Sequence, residues 1–272
     1  MLTIYERNGV LCAEGLIETI GQKVFVYMVD GLLIDSGPET LQEELLPYFK
    51  GNSFDQLVLT HNHEDHTGNA AWIQKNLDVP INIHSSGLIG CLVNGDYPDY
   101  RRITWGGRRA FSPQPINSVI QSRNLEWRVI HTPGHADDHI ALYNETRKIM
   151  FTGDLYVAAR TKVSMKTESI PQIVSSIRLL LEYEFDAIYC SHAGYLENGR
   201  DLLNQKLRYL EGISLKAKAL AAGGESSQEI ADTLLPGNYP IIRFSKNEWD
   251  TVHLIRSILN EPPAEQKTEE QL

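Results

Sequence analysis

Apolar residues fall in short runs along this chain, and many of the runs end in histidine or aspartate. Lys23–Val29 is rich in β-branched and aromatic residues and reads as a strand. Asp30-Gly31 suits a tight hairpin turn, and Leu32–Ile34 returns from it. Residues 2–6 alternate weakly and suit an edge strand. Glu39–Phe49 sets Leu41, Leu45, Leu46 and Phe49 at helical spacing. Leu57–Leu59, Ile81–Ile83, Glu126–Ile130, Ile140–Tyr143, Lys148–Phe151 and Ala187–Cys190 read as further strands, with helices over Gly68–Leu77 and Pro171–Tyr183. From Gly199 the pattern turns helical: Asp201–Ala222, then Ser226 as the N-cap of a helix to Leu235, then Lys246–Leu259. These elements predict an α/β domain over residues 1–200 and a helical extension or lid over 201–260. Residues 261–272, with Pro-Pro and several glutamates, read as a disordered tail.

Four of the strands deliver metal-ligand side chains at their ends. After Leu57–Leu59 comes Thr60-His61-Asn62-His63-Glu64-Asp65-His66-Thr67-Gly68-Asn69. Imidazole and carboxylate suit zinc, manganese and iron. Alternate side chains of an extended or tightly turned backbone point the same way, so His61 and His63 can share one metal. Asp65 and His66, one step further, can reach a second. His135 follows a Pro-Gly turn after Glu126–Ile130, Asp154 follows Lys148–Phe151, and His192 follows Ala187–Cys190. Seven ligands suit two ions: His61, His63 and His135 on one, Asp65, His66 and His192 on the other, and Asp154 bridging both. A hydroxide between two such ions is a nucleophile at neutral pH.

Composition narrows the reading. A net charge of −10 disfavours a general nucleic-acid role. Cys12, Cys91 and Cys190 are odd in number and far apart, which suits a reducing compartment. The N-terminus lacks the basic-then-apolar pattern of a signal peptide, and no run of 18 apolar residues occurs, so a cytoplasmic protein is expected. Against the acidic background, Arg101, Arg102, Arg108 and Arg109 surround Trp105. They read either as a solvated basic loop or as a clamp for an anionic group of the substrate.

The stretch from Thr60 to Gly68 resembles the HxHxDH motif of the metallo-β-lactamase-fold hydrolases. Thr132-Pro133-Gly134-His135, Phe151-Thr152-Gly153-Asp154 and His192 resemble the family's other motifs, in the same order, and Ile34-Asp35-Ser36-Gly37 resembles its buried aspartate. The resemblance spans about residues 1–200. It implies an αββα four-layer sandwich with the helical extension appended, and two divalent ions per chain, zinc first, with manganese or iron as alternatives. It implies a metal-bridging hydroxide attacking the carbonyl of a small ester, thioester or lactone, with Asp154 bridging and Asp65 shuttling a proton. The alternatives are a phosphodiesterase or ribonuclease of the same fold and a metal-binding redox or sensor protein. His63, where the electron-transfer branch has Glu, points to hydrolysis.

Asp35 is expected to support the ligand loop, and His139 to orient His135 or Asp154 or else merely to start a strand. Substrate contacts are expected from Arg101, Arg102, Arg108, Arg109, Tyr156 and Arg160. A small-molecule substrate is the expected partner, with no membrane and no long nucleic acid, and homo-oligomerisation is left open.

Overall fold

A computed structural model of the chain describes residues 2–260; the expected tail, 261–272, lies outside them. The first sheet holds β1 (Thr3–Arg7), β2 (Val10–Ile17), β3 (Gln22–Val29), β4 (Leu32–Ile34), β5 (Gln56–Val58), β6 (Ile81–Ile83) and β7 (Gln114–Pro115), in that spatial order. β1 to β4 run antiparallel and β4 to β7 parallel. The β3–β4 hairpin pairs Val29 with Leu32 across Asp30 (φ 51°) and Gly31 (φ 79°). Two left-handed residues match the right-handed twist of the strands. The second sheet contains β8 (Val119–Gln121), β9 (Glu126–His131), β10 (Ile140–Asn144) and β11 (Ile149–Gly153). A short strand, β12 (Ser164–Met165), stands apart from it. β13 (Ala187–Cys190) and β14 (Gly194–Glu197) complete the second sheet in the order β14-β13-β11-β10-β9-β8.

Helices cover both outer faces. On the first sheet lie α1 (Gln42–Gly51) and α3 (Ala70–Leu77), with the single turn α2 (Glu64–Thr67) between them in sequence; α4 (Leu88–Cys91) and α5 (Asp99–Trp105) follow. Leu45, Phe49 and Ile73 pack there against Val24, Val26, Leu33 and Leu57. Between the sheets, Phe25, Tyr27 and Val58 meet Trp127, Leu142, Phe151 and Tyr189. β10 and β11 are buried at every position, which is why they read as unbroken apolar runs rather than alternating ones. On the second sheet lie α6 (Ile170–Leu180) and α7 (Gly199–Ala222), with α8 (Ser227–Leu234) and α10 (Thr251–Leu259) packed in the same cluster; α9 (Pro240–Phe244) buries none of its residues. The layering is αββα, the expected fold.

The C-terminal helices share one apolar cluster with elements of the first 200 residues. Leu203, Leu210, Ile230, Leu254 and Ile255 pack with Ile170, Ile177, Leu180 and Ile188. α8 begins with the expected cap: Ser226 accepts from the Glu229 N–H while Glu229 accepts from the Ser226 N–H. Elsewhere the sequence pattern and the structure differ. β2 escapes the pattern because Ala13, Glu14 and Gly15 weaken its β signal. The helix expected from Lys246 starts only at Thr251. Lys246 and Asn247 adopt φ of 52° and 64°, β15 (Trp249–Asp250) pairs with β12, and Asp250 caps α10 through the Val252 N–H. The basic stretch is half helix, since Arg101 and Arg102 lie on α5.

Leu210 is fully buried where α7 meets this cluster. Leu210→Ala is expected to lower unfolding free energy by about 2–5 kcal/mol in chemical denaturation. Loss below about 1 kcal/mol would mean that the extension contributes little to the core.

Candidate metal centre

Two clusters of ligand atoms lie side by side where the strands end. His61, His63 and His135 form one; Asp65, His66, Asp154 and His192 form the other, the ligand atoms of each lying within 4.8 Å of one another. All seven come from the four strand ends anticipated from the sequence. His63 Nδ1 is 3.0 Å from both His61 Nε2 and His135 Nε2. Nitrogens sharing a tetrahedral zinc stand roughly 3.3 Å apart, given bonds of about 2.0–2.1 Å. Asp154 lies between the clusters: its Oδ1 is 3.4 Å from His66 Nε2, and its Oδ2 is 3.4 Å from His135 Nε2 and 3.2 Å from His192 Nε2. His66 Nε2 and Asp154 Oδ1 are buried without a hydrogen-bond partner. Buried polar atoms are rarely left so, and two of them facing each other fit a cation.

Three of the imidazoles are turned by a bond to the other nitrogen. His66 Nδ1 is 2.7 Å from Asp35 Oδ2, His135 Nδ1 is 2.6 Å from Glu168 Oε1, and His192 Nδ1 is 2.8 Å from the Lys23 carbonyl. Such partners fix the ring and leave Nε2 free for a ligand role. Glu168 was not anticipated. It is distant in sequence from His135, and only the helix start at Ser169 brings it back, where the Ser169 N–H donates to the Gly134 carbonyl.

Asp35 ties the ligand loop to the sheet. It leaves β4 with φ 59°, a left-handed conformation that aspartate tolerates better than most residues. Oδ1 accepts from the Thr60 N–H, and Oδ2 accepts from the Thr60 and Ser191 hydroxyls besides facing His66. Beside it, Ser36 donates its N–H and hydroxyl to the His66 carbonyl, and the Asn69 amide donates to the carbonyls of Ser36, Gly37 and Pro38. His139 is fully buried. Its Nε2 accepts from the Asp154 N–H at 3.1 Å, while Nδ1 lies 2.8 Å from the Thr132 hydroxyl. Of the two roles left open for it, contact with Asp154 is what the structure places. Gly153, at φ 47°, lets His139 approach; a Cβ there would stand 2.5 Å from Nε2.

Burial and the neighbouring imidazoles push His61 well below its ordinary pKa. Burial, helped by His135, pushes His63 down as well, and burial lowers His139 to about 3. These rings are therefore neutral, the form that binds metal. Burial would also depress His66, but Asp35, Asp65 and Asp154 hold it well above its usual value. Burial opposes the charge on Asp154, yet His192 and His66 hold its carboxyl far below the usual range. The second cluster is thus a set of opposite charges packed together.

A cavity of about 770 Å³ opens beside the clusters, within the range of small-molecule sites. His63, Asp65, His135, Asp154 and His192 line it, as do Arg101, Arg160 and Lys206. The anticipated arginine clamp is not assembled there. Arg101 is committed to buried Glu64, between candidate ligands His63 and Asp65, at 2.5 and 2.8 Å, and to Glu248 at 3.2 Å. Arg102 pairs with Asp99 on the surface. Buried Arg108 donates to the Tyr97 hydroxyl and the Gly90 carbonyl. Arg109 is exposed, and Tyr156 is packed in the core. None of these last four lines the cavity. His84, His131 and His253 lie outside both clusters.

A four-layer sandwich with His and Asp converging at strand ends is the build of a metal-dependent hydrolase scaffold. The model of the metallo-beta-lactamase superfamily matches residues 21–192, and the chain belongs to that superfamily. It is 30% identical over 146 residues to a protein of Bacillus subtilis (strain 168) named probable metallo-hydrolase YflN, covering 46% of this chain and 55% of that one. It is 26% identical over 164 residues to the hydroxyacylglutathione hydrolase of Hydrogenovibrio crunogenus, covering 59% and 52%. The chain therefore spans about half the length of these two relatives. A metallo-beta-lactamase family protein from Thermus thermophilus superposes with a TM-score of 0.70 at 19% identity, over 93% of this chain and 94% of that one. Among the described residues, no helix is long and apolar enough to cross a membrane.

Lys206, from α7, is buried and donates to the carbonyls of Leu155 and Tyr156, just after Asp154. Burial lowers its pKa to about 8, with Glu168 opposing. Below pH 8 both folded and unfolded chains hold this proton, and the cost of burying the charge is fully present. Between pH 8 and 10.5 the unfolded chain holds more protons, so Lys206 makes the fold more stable as pH rises. Wild type should gain roughly 3 kcal/mol relative to Lys206→Met across that window in chemical denaturation. A flat difference would show that the ammonium is solvated.

Proposed function

We propose that the chain is a binuclear metal-dependent hydrolase of small esters, thioesters or lactones. The observation that carries this reading is the position of Asp154, within 3.4 Å of ligand nitrogens from both clusters. His61, His63 and His135 would hold one divalent ion, Asp65, His66 and His192 the other, with Asp154 shared. Zinc suits this donor set by the ordinary affinity order, and manganese and iron are the alternatives. The ions, when bound, lower the pKa of water toward neutrality and polarise the scissile carbonyl.

The remaining work falls to the chain. Asp35, Glu168 and the Lys23 carbonyl hold the imidazoles, so the ligands need little rearrangement. His139 fixes the backbone of Asp154. Burial opposes ionisation of Asp65, but His66 and His192 keep it a carboxylate. It can accept the proton of the attacking water and pass it to the leaving oxygen or sulfur as the acyl bond breaks, giving an acid and an alcohol or thiol. The relative named hydroxyacylglutathione hydrolase supports an acyl substrate. A second reading, phosphodiester hydrolysis, draws on Arg160 and Lys162 in the cavity wall.

Asp154→Asn is expected to lower turnover of thioester or lactone substrates by at least about a hundredfold and to weaken the second ion. The check is kinetics with elemental analysis on the same preparation. Retention of two ions per chain together with wild-type turnover would refute the bridging role.

A further inference from the structure

The clusters account for the chemistry at one end of the cavity, and a large part of the remaining wall is apolar. Ile20, Trp105, Val157, Ile241, Phe244 and Trp249 line it. Three features set this wall apart from ordinary core. First, α9 reads Pro240-Ile241-Ile242-Arg243-Phe244, yet none of its residues is buried, and Phe244 remains 37% exposed. An apolar turn left unburied beside a reactive site marks a surface that a ligand covers. Second, Val157 is 38% exposed and holds φ at 46°. A β-branched residue in the left-handed region is strained, and such strain gathers at ligand sites. Third, α9 is held over the cavity rather than dangling. Phe244 stacks edge-on to Tyr100 with centroids 5.7 Å apart, and Glu248, just beyond, is bonded to Arg101.

Polarity sorts the two halves of a substrate. Arg160 and Lys162 are exposed members of the wall and suit a polar or anionic leaving group on its way to solvent. The part that stays beside the metal ligands meets the apolar wall. Resting on the hydrolytic reading above, we propose that the substrate is an ester or thioester of a medium-length apolar acid, its chain lying along α9 and Val157. The C-terminal extension would thereby select the acyl group.

Binding of product acids tests this without turnover. The metal-replete chain is titrated calorimetrically with butanoate, hexanoate, octanoate and decanoate. Affinity should rise about two- to fourfold per added methylene. Phe244→Asp, at a half-exposed site, should flatten that series. A series flat in the wild type, or one that Phe244→Asp leaves as steep, overturns the proposal. Hydrolysis of acyl esters and thioesters of the same lengths separates the two readings. A steep binding series with no hydrolysis of any ester, thioester or lactone leaves the acyl pocket standing and removes the hydrolytic function. Hydrolysis with a flat binding series does the reverse.

Discussion

The rest of the site depends on one buried carboxylate. Asp35 is 2% exposed and faces the Thr60 amide and hydroxyl, the Ser191 hydroxyl and the His66 ring at once. Hydrogen bonds to a charged group are worth about 1.5–3 kcal/mol each, and their donors would be stranded in the interior without it. The carboxylate therefore specifies where the loop after β5 lies on β4 and where the loop after β13 meets them. Ser36 and Asn69 repeat the clamp one residue further on. Because the candidate ligands sit on loops held this way, their convergence is built into the scaffold.

A second constraint runs outward from the same loop. Glu64 lies between His63 and Asp65 and is fully buried; burial raises its carboxyl while Arg101 opposes that shift. Breaking such a buried pair commonly costs about 3–5 kcal/mol, because the surviving charge is left uncompensated. Arg101 also reaches Glu248, beside the strand that pairs with β12. The ligand loop, α5 and the C-terminal segment are thus one charged network, and Lys206 adds another tie from α7 to the backbone after Asp154. The cavity is built between the ligand loop and the extension, so the extension lines the cavity while belonging to the core.

The fold and the clustering of the candidate ligands were legible because they rest on local patterns. Apolar runs marked the strands, and seven ligand-type residues stood at four of their ends. The turn at Asp30-Gly31 and the cap at Ser226 were readable for the same reason. What could not be read depends on distant pairing. Glu168 meets His135 only through the approach of α6, and nothing near Glu168 in sequence marks it. Arg101 suggested an anion clamp because its partners, Glu64 and Glu248, lie 37 and 147 residues away. β2 was hidden by small and charged residues that a two-sheet core tolerates. The start of α10 was set by Asp250 and a pair of left-handed residues that helical spacing alone does not reveal.

The claim that Asp35 preorganises a two-ion centre is tested most directly by zinc titration of the chelator-stripped chain against a chromophoric competitor, wild type beside Asp35→Asn. About two equivalents are expected for the wild type. In Asp35→Asn, with the circular dichroism of the fold retained, the ion held by His66 should bind about 10- to 100-fold more weakly. One equivalent in the wild type, or two bound by Asp35→Asn as tightly as by the wild type, would contradict it.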